Sequence, residues 1–165
     1  SRTDTQRSAN VMSAPAGISR ILELTRRTMD TFDISPEFME STMSVVVGIS
    51  AKDEAEHHRV GITQEWFHEA LLVAKSKDQL LPGTDCLQLS QLLAASQWGV
   101  TLMWQKGLIS METLRRQAII KHCLDLMPFC RMETCKWLDD LLASMVESTR
   151  NGAGGEQTFE ARMAS

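Results

Sequence analysis

The strongest constraint on this chain is the spacing of apolar residues over its last long polar-apolar segment. Cys135, Leu138, Leu141, Leu142, Met145 and Val146 recur at steps of three and four. At helical pitch that spacing gathers six side chains on one side of a helix. Arg131, Glu133, Lys136, Asp139, Asp140, Ser144 and Glu147 fill the other side. Similar segments recur upstream, whereas strand-like alternation is nearly absent. Helices of this kind must bury their stripes against each other or against a partner. The predicted fold is therefore all-α, a compact bundle of about six amphipathic helices with flexible termini.

Local signals divide the chain. Residues 1–16 are polar and predict a flexible N-terminal arm, and residues 149–165, with Asn151-Gly152 and Gly154-Gly155, predict a flexible C-terminal tail. The bundle is expected over 17–148. Ile18, Ile21, Leu22, Thr25, Met29 and Phe32 share one face of a first helix, with Glu23 able to pair with Arg26 or Arg27 on the other. Ser35, Pro36 and Glu37 open a second, to about Ile49. Residues 51–59 predict a short charged helix that Gly61 breaks, and Thr63 then caps the next. Thr84 and Asp85 open a long helix to about Gln105. Its Leu89, Leu92, Leu93, Val100, Met103 and Trp104 form one stripe, and Leu87, Ala94, Trp98 and Leu102 form another. A helix apolar on two sides belongs at the centre of a bundle. Gly107 ends it, Ser110 caps its successor, and Pro128 forces a break before the last helix.

Composition excludes some roles. The 165 residues suit one domain, and 43% hydrophobic content suffices for a core. A net charge of −4 does not favour indiscriminate attraction to polyanions. No apolar run approaches the roughly 18 to 20 residues that span a bilayer, so no membrane partner is expected. Ser1 opens the sequence without a signal-peptide pattern, which reads as an excised domain or processed product. The four cysteines, Cys86, Cys123, Cys130 and Cys135, read as reduced thiols of an intracellular protein of cytoplasm or nucleus.

Five constellations carry possible chemistry. Glu54-x-x-His57 and Glu65-x-x-His68 repeat the carboxylate-imidazole spacing of di-iron bundles, and a turn near Gly61 would bring the two pairs together. A metal-dependent enzyme at Glu54, His57, Glu65 and His68 is thus one reading. It needs two further carboxylates from other helices, for which only Glu23, on the polar face of its helix, Glu37 and Glu40 precede the region, and a solvated charged face explains the same residues. His122, Cys123, Cys130 and Cys135 hold zinc-type ligands but lack a C-x-x-C knuckle; the plainer reading is buried small hydrophobes beside a surface histidine. A Cys-His-acid nucleophile has no supporting motif. Arg115, Arg116, Lys121, Arg131 and Lys136, from the last two helices, would give a phosphate-contacting face for a nucleic-acid-associated regulatory or nucleocapsid-associated domain, diluted by Glu112, Asp125 and Glu133. Finally, Leu108 and Trp137 are expected as exposed anchors on a protein partner, Trp137 because it falls on the polar side of its helix. The leading expectation is a non-catalytic helical protein-interaction domain that self-associates or docks on a protein partner, with no catalytic residue and no cofactor.

Overall fold

A computed structural model describes residues 13–35, 37, 41 and 54–150, with side chains at 13–35, 37, 41 and 61–147. Five α-helices lie among the described residues: α1 (Ala16–Ile34), α2 (Glu54–Ser76), α3 (Cys86–Gln105), α4 (Met111–Leu126) and α5 (Met132–Arg150). A 3₁₀ turn at Met127–Phe129 carries Pro128 and separates α4 from α5. The described residues contain no strand, only an isolated antiparallel bridge between Leu80 and Cys130. The all-helical expectation stands, with five helices described in place of about six. The predicted helix over 35–49, apart from Ser35, Glu37 and Ser41, lies outside the described residues, as do 1–12 of the arm and 151–165 of the tail.

Gly61 does not break a helix. It sits inside α2, and the two segments expected on either side of it form one element of 23 residues. A glycine in a helix interior costs only about 1 kcal/mol against alanine, which the apolar face of α2 outweighs. Thr63 is consequently buried within the helix rather than capping one. The caps of the next two helices are as expected. The Asp85 carboxylate accepts from the amides of Leu87 and Gln88, and the Ser110 hydroxyl accepts from the Thr113 amide, so each satisfies first-turn donors that have no helical partner. Gly107, at φ 71°, occupies the left-handed position after α3.

α1 is capped from far away in sequence. Its N-cap is Pro15, which has no side chain to accept a bond. Gln79, in the connection after α2, supplies the acceptor: its Oε1 takes the amides of Gly17 at 3.1 Å and Ile18 at 3.4 Å. The backbone of the same connection is tied to the α4–α5 turn. Leu81 donates to the Phe129 carbonyl at 2.8 Å and Arg131 donates to the Gln79 carbonyl at 2.9 Å. One end of the bundle is thereby clasped through three separate stretches of chain.

α1 packs between α2 and α4, and α3 closes the ring between the same two helices, while α5 lies against α4 and the 3₁₀ turn. The α1–α2 contact is backbone-close at Gly17 and Ala74. The core runs through Ile21, Leu22, Phe67, Leu71, Leu93 and Leu126, reaching α5 at Leu138 and Leu141. A second cluster, Met29, Phe32, Leu114 and Ala118, lies toward the other end, with Trp98 and Trp104 half-buried against it. In this ring α3 is a wall with an outer face, not the centre.

Candidate interaction surface

α3 is unusual in what it hides and what it shows. None of its 20 residues is charged. Its buried residues are Cys86, Leu89, Ser90, Leu93, Ala94, Gln97 and Thr101, three of them polar. Small hydroxyls suit this inner line because they close on their own helix: Ser90 donates to the Leu87 carbonyl at 2.7 Å and Thr101 to the Gln97 carbonyl at 2.8 Å. Gln97 has no such device. Only 1% exposed, it has neither amide atom hydrogen-bonded.

Apolar side chains face outward instead. Leu87, Leu92 and Met103 are 49%, 46% and 42% exposed. Gln88, Leu92, Ala95, Gly99 and Met103 follow at steps of four, three, four and four, all exposed, and trace one seam along the outer face. The sequence stripe that grouped Leu92 and Met103 with Leu89 and Leu93 is corrected accordingly, and so is the assignment of Ala94 to the far side. Among the described residues, a Cβ placed at Gly99 meets nothing within 4 Å. None of the described residues requires glycine at that position, and none of them blocks close approach to the α3 backbone there.

Leu108, in the connection after α3, is 70% exposed. Trp137 is not an exposed anchor: it is 6% exposed and belongs to the core. The reason lies in the true register of α5. Its buried line is Thr134, Trp137, Leu138, Leu141 and Ser144. Cys135, Leu142 and Met145 flank that line half-buried, and Val146 is exposed. Ser144 donates to the Leu141 carbonyl at 2.7 Å, so burying it leaves no orphan hydroxyl.

Three of the five basic residues are paired with acidic side chains. Arg115 reaches α1, contacting Asp33 at 2.8 Å and Asp30 at 3.3 Å. Lys121 is paired with Asp125, and Arg131 with Asp78 at 2.7 Å. Arg116 also makes an interaction, while Lys136 is exposed on α5. Arg115 lies near the start of α4 and Arg131 beyond its end, at least roughly 16 Å apart at helical rise.

The Glu54/His57 and Glu65/His68 pairs lie on the single helix α2, so no turn folds one pair onto the other. Corresponding members of the two pairs are eleven positions apart, roughly 16 Å along the helix. Glu65 is exposed and His68 half-buried, and the side chains of Glu54 and His57 lie outside the described residues. No three His, Cys, Asp or Glu residues converge on a metal-sized site among the described residues.

His122 is not a surface histidine. It is fully buried on α4, edge-on to Phe67 with ring centroids 5.2 Å apart. Its Nδ1 lies 2.9 Å from the Thr25 hydroxyl and its Nε2 3.1 Å from the Leu93 carbonyl. Both ring nitrogens are engaged. All four cysteines are free. Burial pushes the Cys123 and Cys130 thiols up to about 12, so both stay protonated. Cys135 directs its thiol to the carbonyls of Met127 at 3.1 Å and Cys130 at 3.2 Å. Cys130 and Cys135 thus lie at the α4–α5 joint.

No described helix is long and apolar enough to cross a membrane. No family model matches the sequence, and no curated protein or solved structure matches it.

Proposed function

We propose that this chain is a non-catalytic helical assembly domain that self-associates through the outer seam of α3. The observation that supports this reading is the charge-free helix itself, with Leu92, Ala95, Gly99 and Met103 facing water while Ser90, Gln97 and Thr101 face the core. Two copies each carrying −4 repel wherever their charges meet, and the α3 seam is a face on which none do. A two-fold contact lays the same patch against itself, so one uncharged line suffices for both partners.

Magnitudes set the strength. Covering the half-exposed Leu92 and Met103 of the seam contributes about 1 kcal/mol each per copy. Lost rotational and translational freedom opposes association by about 4 kcal/mol or more. The two nearly cancel and favour association by at most about 2 kcal/mol, so the dimer is weak and concentration-dependent, with a Kd weaker than about 1 mM.

The test is mass by light scattering or sedimentation across a concentration series at two salt levels. Mass should rise with concentration and persist at high salt, whereas a phosphate-type contact fades steeply as salt rises. Leu92→Glu with Met103→Glu, both at exposed positions, should give a folded monomer. Gly99→Ala sharpens the result: it should raise fold stability by about 1 kcal/mol through helix propensity yet weaken association by filling the seam. A parent chain that stays monomeric throughout, or a double glutamate variant that associates as well as the parent, rejects the proposal.

A further inference from the structure

His122 stands where four helices meet. It belongs to α4 and touches Thr25 of α1, Phe67 of α2 and the Leu93 carbonyl of α3. Counting protons shows what this joint can do. The Leu93 carbonyl can only accept, so Nε2 carries a hydrogen. In the neutral ring Nδ1 is then an acceptor and needs the Thr25 hydroxyl proton. That hydroxyl also lies 3.0 Å from the Ile21 carbonyl, which competes for the same hydrogen. Thr25 has one proton for two acceptors.

One added proton changes the pattern without moving a heavy atom. With Nδ1 protonated, the ring donates to Thr25 Oγ1 and the hydroxyl turns wholly onto Ile21. Every hydrogen bond is kept, but the core now holds a cation. Its surroundings do little to neutralise it. Asp125 on α4 favours the charge and Lys121 on the same helix opposes it. These two are themselves paired. α3 carries no charged residue, and α1 and α2 present a hydroxyl and a phenyl ring.

We propose that His122 is a proton-operated latch of the bundle: uptake of a single proton at Nδ1 re-routes the Thr25 hydroxyl and leaves a buried charge that drives α1, α3 and α4 apart to admit water. At neutral pH the latch is closed, because burial lowers the pKa of the ring from 6.5 to about 4. The sign follows. The unfolded chain binds a proton near pH 6.5 that the folded chain resists until about pH 4, so stability is intact above that window and is lost as pH falls through it. The loss due to this residue reads as an increase in the unfolding constant on the order of 100-fold between pH 7 and pH 4.

The test compares the parent with His122→Phe by denaturant unfolding from pH 7 to pH 4. Phenylalanine keeps the edge contact to Phe67 and orphans nothing, since Thr25 can donate to Ile21 and the Leu93 carbonyl keeps its helical amide. The variant should lose most of the parent's acid dependence over this window. Thr25→Val, which removes the relay but keeps the titrating ring, should retain it. Hydrogen exchange should show amides around Thr25 and His122 opening in acid in the parent. Nitrogen NMR at pH 7 should find His122 neutral with its proton on Nε2. A His122→Phe chain with the parent's acid profile, or a His122 that titrates near pH 6.5 in the folded protein, overturns the latch.

Discussion

Gly17→Ala should lower the stability of the bundle by about 3 kcal/mol, one of the two largest single-residue effects expected in this chain. A Cβ at position 17 would lie 2.3 Å from the Ala74 backbone nitrogen and 2.5 Å from its Cα. Those atoms belong to the backbone of α2 and cannot swing aside, so α1 must move bodily. In moving it draws Gly17 and Ile18 away from the Gln79 side chain that accepts their amides. The gain in helix propensity, at most about 1 kcal/mol, is smaller than the strain it meets. Chemical denaturation should show a lower midpoint, with Gly99→Ala as the control at an open helical glycine that moves the other way. A Gly17→Ala protein as stable as the parent would contradict the close α1–α2 approach.

Trp137→Ala should remove about 3 to 5 kcal/mol of folding stability, as expected for a large aromatic taken from a core. Leu138 and Leu141, the neighbours of Trp137 along the buried line of α5, are both fully buried. The measurement separates two roles. If the side chain fills the core, unfolding midpoints fall at every protein concentration and the self-association of the remaining folded protein changes little. If Trp137 instead anchored a partner, stability would be retained and association lost. The structure commits to the first.

The sequence made helices and their ends legible because those signals are local. Asp85, Ser110, Gly107 and Pro128 act within a few residues of themselves, and each does what its chemistry dictates. Which face turns inward was less legible. Apolar periodicity treats serine and threonine as polar, yet Ser90, Thr101 and Ser144 all donate to carbonyls of their own helix and so enter the core, as Thr25 does on the face expected for it. That habit shifted the register of α5 and put Trp137 on the wrong side, and it left Leu92 and Met103 with the buried stripe of α3. Continuity through Gly61 was missed because a lone glycine is a weak breaker. The His122 joint and the Gln79 cap were invisible for another reason. Thr25 and His122 are 97 positions apart, Gly17 and Gln79 are 62 apart, and no local pattern encodes such meetings.

The clasp at Gln79 gives the molecule a direction of breathing. There, the start of α1, the exit of α2 and the turn before α5 are stitched together by main-chain bonds and one amide. At the far end α1 and α4 are joined by Arg115 with Asp30 and Asp33, part-exposed side chains of the sort that contribute little in water. Opening is therefore expected to begin beside Leu108 and to travel toward Gln79, like a book whose pages lift at the fore-edge while the spine stays sewn, and amide exchange faster at Leu108 than around Gln79 is its check.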